Sequence, residues 1–327
     1  MRRAGFHAPP GDDPKPLIEI DLVPEIALEV SPSSLTTESA AGFRVAGINR
    51  INLGVQTWDS GELAGVGRAH GTEIHERAIV DALSAGFSNV CVDLIYGLPG
   101  QSDESWQASL DHVVRLRPHT ICCYALTLRP STGYAARGYL ETDPSSQYRR
   151  YDVADATLTA AGYVQETHVR WVLPGLGGYV QKANHWAGQD VVGFGAGARS
   201  YLHGIDLRNG YSVRSRTRTL REYEQRVLGG GTTFTDGFVL DSDERLRKAI
   251  ILGLGNLDLA SLQAEYGVDV RQKFSREFDA LASTDLVQIV NDGVSLTRLG
   301  QRHRDVAVQL FFSQRVRANI AQHRYAE

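Results

Sequence analysis

Four short apolar runs punctuate the first half of the chain: EIALEV at 25–30, INRINLGV at 48–55, NVCVDLIYG at 89–97 and TICCYAL at 120–126. Each is rich in Val, Ile or Leu and bounded by polar residues or glycine, which predicts buried strands. The stretches between them change to a helical period. In residues 71–87, Ile74, Ala78, Ile79, Ala82 and Leu83 share one stripe and Gly86 supplies the stop. Ser102 is placed to cap the next helix. Asp103 and Glu104 follow where the helix dipole favours negative charge, and Trp106, Leu110, Val113, Val114 and Leu116 make the apolar face. Strands joined by such helices predict βαβ units, hence a parallel sheet, open or closed into a barrel. A weaker pair of strands is expected near Tyr163–Val164 and Val191–Phe194.

Gly229, Gly230 and Gly231, followed by Thr232 and Thr233, read as a flexible joint. Beyond it helices are expected near 243–254, 257–266 and 271–282. A hairpin built on the Asn291-Asp292-Gly293 turn follows, with Thr297 opening a last helix. Helices followed by such a hairpin predict a small winged-helix-like unit at 240–327. The preceding α/β unit covers 17–230, and residues 1–16, rich in Pro and Gly without a hydrophobic period, read as a disordered lead-in.

Charge narrows the partners. The 327 residues carry a formal net charge of -4, and residues 241–327 hold 12 Lys+Arg against 12 Asp+Glu, so the winged-helix pattern lacks the basic stripe that DNA binding needs. No apolar run approaches the roughly 18 residues of a membrane span, and Arg2 and Arg3 are not followed by a signal-peptide core. A cytoplasmic protein with small-molecule partners is expected, with no nucleic acid and no membrane. Cys91, Cys122 and Cys123 lie inside strand-like runs without metal-motif spacing, so they read as small buried side chains and no metal site is assigned to them.

Five phrases occur in order: ALEVSPSSLT (27–36), INRINLGVQTW (48–58), VDLIYGLPGQSDESW (92–106), YALTLRP (124–130) and VVGFGAGARSYL (191–202). Through them the chain, from about Glu25 to Phe312, resembles the oxygen-independent coproporphyrinogen III oxidase (HemN) family of radical S-adenosylmethionine (SAM) enzymes, with its haem-chaperone and methyltransferase-like relatives. That resemblance implies an α/β fold: a partial (β/α)6 TIM-type barrel entered at its third strand, then a HemN-type C-terminal winged-helix-like domain. It implies SAM as cofactor, a [4Fe–4S] cluster, an electron donor, and a tetrapyrrole or natural-product intermediate as substrate.

The resemblance also assigns residues. Glu29, Gln56, Arg68 and Asp93 match the family's SAM contacts, and Thr127 another position near SAM, where the contact is through side chain or main chain. Their chemistry suits an α-amino acid carrying ribose hydroxyls, because carboxylates receive its ammonium and hydroxyls while a guanidinium holds its carboxylate. Structural ion pairs or loop hydrogen bonds are the alternative roles. Asp93 stands out, since a charge inside a buried strand must find a partner. Gly193, Gly195 and Gly197 are assigned by the resemblance to the last barrel strand and its turn, and Arg199, read as opening a helix, faces substrate carboxylates or forms a surface ion pair.

The pattern breaks at one place of consequence. Three cysteines in CxxxCxxC hold the family's cluster, and this chain contains no such motif. The family's glycine-rich GGGTP-like segment and first two strands are not found before Glu25. The haem chaperones' HNxxYW-type motif aligns with Gln181-Lys182-Ala183-Asn184-His185-Trp186, whose first two residues differ and whose His185 is a possible haem ligand or a packed residue. QETHVRW (165–171) and ARSY (198–201) look closer to the methyltransferase-like relatives. Three readings stay open: a radical SAM oxidase or methyl/methylene transferase whose chain begins too late here, a non-catalytic protein that retains SAM or tetrapyrrole binding, or a decayed gene product with no stable function.

Overall fold

The computed structural model describes residues 24–68, 71–128, 138–139, 142–176, 178–210 and 216–322. The disordered lead-in expected at 1–16 lies outside them. Strands β1 (Ala27–Val30), β2 (Arg50–Gln56), β3 (Asn89–Tyr96) and β4 (Thr120–Ala125) are the four predicted runs. They pair in sequence order and in parallel, Glu29 opposite Asn52, Asn52 opposite Cys91, and Asp93 opposite Cys122. Helices α1 (Thr37–Val45), α2 (Ser60–Gly65), α3 (Glu73–Ser84) and α4 (Asp103–Leu116) fill the connections. Ser102 caps α4 as expected, its side chain accepting from the Ser105 amide.

Strand alternation splits the side chains cleanly. Ile51, Leu53, Val55, Val90, Val92, Leu94, Ile121 and Cys123 join Ala78, Ile79, Trp106 and Leu110 of the helices in one core. The intervening positions, Glu29, Arg50, Asn52, Gly54, Cys91, Asp93, Cys122 and Tyr124, share the opposite face of the sheet. An apolar run therefore hides a period of two.

After α5 (Pro144–Ala160) the expected parallel order ends. β5 (Val164–Thr167) and β6 (Arg170–Val172) form an antiparallel hairpin, and β6 joins β4 antiparallel, giving the order β1-β2-β3-β4-β6-β5. Only His168 and Val169 separate the two strands, too few for the crossover that a parallel pair requires.

The region 191–239 also departs from the sequence reading. Val191 makes a single bridge to Tyr201 instead of opening a strand. After the short helix α6 (Val180–Trp186), a separate three-stranded antiparallel sheet forms from β7 (Arg199–Leu202), β8 (Ile205–Asn209) and β9 (Phe234–Val239). Gly229–Gly231, the expected joint, directly follow a helix. They close α7 (Arg216–Leu228), the Gly229 and Gly231 amides donating to Gln225 O and Arg226 O, each at 2.9 Å, with Gly230 at φ +67°. The chain then continues into β9, which pairs with β8 across that turn.

The C-terminal residues build a second core on α8 (Ser242–Gly253), α9 (Leu259–Tyr266), α10 (Val270–Lys273), α11 (Ser275–Ser283) and the sheet β10-β12-β11, in which β11 (Val287–Val290) and β12 (Gly293–Leu296) are the predicted hairpin. β10 (Asn256–Asp258) takes the first residues of the helix expected from 257. This unit touches the first through Arg298, whose guanidinium grips the Asp155 carboxylate on α5 with Nε–Oδ2 at 2.7 Å, and through Arg302 with Asp152 at 3.0 Å. Asp155 is 5% exposed and also accepts from Trp171 Nε1 at 3.0 Å.

Candidate functional site

The polar face of the six-stranded sheet carries the chemistry. Glu29 near the end of β1 accepts from Asn52 Nδ2 at 2.6 Å. Asn52 is buried, and its Oδ1 has no hydrogen-bond partner among the described residues. One step along β2, Gly54 leaves room for two long side chains: a Cβ there would lie 2.7 Å from Gln56 Nε2 and 3.1 Å from Arg68 Nη2. The register shifts between Gly54 and Gln56, and Gln56 has φ +76°, a conformation that non-glycine residues rarely hold. Such an irregularity re-aims a side chain at a strand end, and here it brings the Gln56 amide over Gly54 beside Arg68.

Asp93 on β3 faces the same way. Desolvation first, then the Glu29 carboxylate, push its carboxyl up to about 6. Arg68 is shifted in the downward direction by burial. Of the five residues carried over as SAM contacts, Glu29, Gln56 and Asp93 therefore lie on the first three strands, and Arg68, in the loop after α2, reaches Gly54 of β2. Thr127 does not join them. It is exposed beyond the end of β4, in a cleft of about 280 Å³ with Tyr96, Tyr124, His168, Lys182, Trp186 and Arg302.

Arg199 is elsewhere. It begins β7, not a helix, is exposed, and stands opposite Arg208 in the small sheet. The glycines before it serve that sheet: the Gly193 amide donates to Ser200 Oγ at 3.0 Å, and Asn209 Nδ2 donates to Gly195 O at 2.8 Å. They form no end to a strand of the main sheet. His185 packs its ring 4.4 Å from that of Tyr201, while Trp186 stacks at 6.4 Å from His168.

The cysteines behave less uniformly than their sequence positions suggest. All three are buried, but Cys123 points into the apolar core, whereas Cys91 and Cys122 lie on the polar face with Sγ atoms 3.6 Å apart. Cys91 Sγ is 3.8 Å from Asp93 Oδ1, so a strand pair assembles two thiols and a carboxyl that sequence reading kept separate. The missed signal was the alternation itself, Cys91 and Asp93 two apart on β3 and Cys122 opposite Asp93 on β4. Arg50 was missed with them. It is 1% exposed, donates from Nη1 to Gly178 O at 2.6 Å, lies 4.1 Å from the Tyr179 ring, and has no hydrogen-bond partner for Nε or Nη2 among the described residues.

The fold implies two groups, an iron–sulfur cluster and SAM. A [4Fe–4S] cluster that leaves one iron for SAM needs three converging thiolates. Two converge here and the third faces the opposite side of the sheet, so the cysteines of this chain do not fit it. SAM does fit the polar face: Glu29 and Asp93 offer acceptors to an ammonium and hydroxyls, Arg68 and Gln56 offer donors to a carboxylate, and the Asn52 Oδ1 acceptor is unused.

Residues 11–113 match the radical SAM superfamily and residues 240–303 the HemN C-terminal domain. The heme chaperone HemW of Mycobacterium tuberculosis (strain ATCC 25618 / H37Rv) is 30% identical over 287 residues, spanning 84% of this chain and 72% of that protein. The oxygen-independent coproporphyrinogen III oxidase of Salmonella typhimurium is 25% identical over 301 residues, 85% of this chain and 64% of its own length. The solved structure of coproporphyrinogen III oxidase (HemN) from Escherichia coli shares the fold, with a TM-score of 0.74 at 23% identity over 88% of this chain and 69% of that one. The sheet with its polar face, the C-terminal unit and the HemW relative at 30% identity together place the chain in the radical SAM superfamily, in the family of oxygen-independent coproporphyrinogen III oxidases and the heme chaperones HemW.

Proposed function

We propose that this chain binds SAM on the polar face of its main sheet, and that a tetrapyrrole is its second ligand. The observation that carries the first part is that Gln56 and Arg68 meet over Gly54 on the same sheet face as the Glu29–Asn52 pair, whose buried Asn52 Oδ1 has no partner among the described residues. Where a cluster reduces it, SAM supplies a 5′-deoxyadenosyl radical. The cysteines here do not fit such a cluster, so the reading for this chain is ligand binding and orientation: Arg68 and Gln56 on the carboxylate, Glu29 on the ammonium or ribose hydroxyls.

The second part rests on the cleft holding Thr127. Tyr96, Tyr124 and Trp186 provide aromatic faces, and Lys182 and Arg302 provide cations, a combination that suits a flat macrocycle bearing carboxylates. The relatives named as heme chaperones favour the same ligand class. Calorimetry of the full chain with SAM, and absorbance titration with haemin, test the two parts separately. One-to-one SAM binding that is weakened in Arg68→Ala is the expected result. No binding of SAM at millimolar concentration by the folded chain would overturn the first part, and a haemin spectrum identical with and without protein would overturn the second.

A further inference from the structure

We propose that Cys91, Asp93 and Cys122 form a mononuclear site for a thiophilic divalent cation, with Zn2+ as the ion that fits best. The three ligand atoms, two Sγ and one carboxylate oxygen, all lie within 4.8 Å of one another. Zinc holds thiolate sulfur at about 2.3 Å and carboxylate oxygen at about 2.0–2.2 Å in a tetrahedron, whose edges are then about 3.8 Å between sulfurs and about 3.5 Å between sulfur and oxygen. The sulfurs are 3.6 Å apart, and Cys91 Sγ is 3.8 Å from Asp93 Oδ1. A disulfide would require the sulfurs to close to about 2.05 Å.

The backbone fixes this triangle. Cys91 and Asp93 are alternate residues of β3 and Cys122 is the register partner of Asp93 on β4, so all three are mounted on paired central strands. A dication would bind the two thiols as thiolates, releasing their protons. Two thiolates, a carboxylate and a dication leave one negative charge. Arg50 stands on the same face of neighbouring β2, and its buried Nε and Nη2 have no hydrogen-bond partner among the described residues, so its guanidinium is placed to balance that charge. The three protein ligands leave the fourth position to water or to a ligand on the polar face, and Tyr124, 39% exposed beside Cys122 on that face, marks the route in. With Asp93 taken by the metal, Glu29, Asn52, Gln56 and Arg68 still form the SAM contacts, so neither proposal depends on the other.

The test is a Co2+ titration of the full chain after chelator treatment under reductant. The expected result is one equivalent bound with thiolate-to-cobalt charge transfer and the intense visible bands of tetrahedral cobalt, displaced by Zn2+. Cys122→Ser should lose the charge-transfer band and weaken binding by more than the about 10–100-fold typical of losing an outer-shell partner. Cys123→Ser, on the other face, should leave the spectrum unchanged. If Cys122→Ser does not fold by far-ultraviolet circular dichroism, Asp93→Asn is the second variant, expected to weaken Co2+ binding while keeping a thiolate band. The proposal is overturned by octahedral cobalt without a thiolate band, by no uptake at all, or by a parent-like spectrum and affinity in the folded Cys122→Ser or Asp93→Asn variant.

Discussion

Arg68 and Gln56 meet over a glycine, and that placement makes Gly54 a sensitive position. Gly54→Ala inserts a methyl against the ends of two flexible side chains rather than against backbone. Fold stability should change by less than about 1 kcal/mol, while SAM affinity falls because both donors are displaced; denaturant melts and calorimetry on one preparation check the pair of outcomes. Arg68→Ala should cost about 1–3 kcal/mol of SAM binding, the range for a hydrogen bond to a charged group, without moving the melt. Asp93 was legible in the sequence because a charge inside an apolar strand has few innocent explanations. Asn52, Arg50, Cys91 and Cys122 were not, because which alternate positions of a Val/Ile-rich run face each other depends on register, and register is set by pairing with strands distant in sequence.

Secondary-structure elements are joined at the upper end of the sheet by one buried carboxylate. Glu62 of α2, 5% exposed, accepts from Thr57 Oγ1 at 2.6 Å, Gln101 Nε2 at 3.0 Å and Ser105 Oγ at 2.5 Å, tying the end of β2 to the first turn of α4. Gln101 in turn accepts from the Gly97 amide at 2.6 Å. Glu62→Ala removes the acceptor these three donors share, leaving Gln101 Nε2 its bond to Ile95 O and Ser105 Oγ its bond to Ser102 O, and should destabilise the protein by about 1–3 kcal/mol, read as a lowered urea midpoint. Elements with a strong local signature, the α3 stripe, the Ser102 cap and the Asn291 hairpin, were predictable from their own residues. β7, β8 and β9 were not: Arg199-Ser200-Tyr201-Leu202 and Ile205–Asn209 mix polar and apolar residues, and β9 is exposed along its length, so no buried face imposed a readable period.

At the scale of the whole molecule, the two cores meet across few but well-placed charges. Asp155 serves both, bonded to Trp171 inside the first and Arg298 from the second. Asp155→Ala should therefore lower stability by about 2–4 kcal/mol, more than Arg298→Ala, because only the former also leaves the buried indole N–H unpaired. Nearby, His168 faces Asp305 at 3.5 Å, yet burial outweighs that carboxylate and lowers its imidazole to about 4. The unfolded chain takes up that proton near pH 6.5 and the folded one does not. The His168 contribution is thus complete above about pH 6.5 and is lost progressively as pH falls toward about 4. Urea midpoints at about pH 5 and pH 7 should differ less in His168→Gln than in the parent. Among the described residues, no helix is long and apolar enough to cross a membrane.

The left-handed backbone at Gln56 carries a consequence for how this protein can change. Glycine would relieve a conformational penalty of about 1 kcal/mol there. It would also delete the amide that stands beside Arg68. Variants chosen only for surviving heat should accumulate glycine at position 56 and drift toward a sturdier molecule that no longer holds its ligand, whereas variants chosen for ligand retention should keep glutamine and tolerate the weaker fold. Sequencing the survivors of two parallel selections would separate these opposed pressures at a single codon.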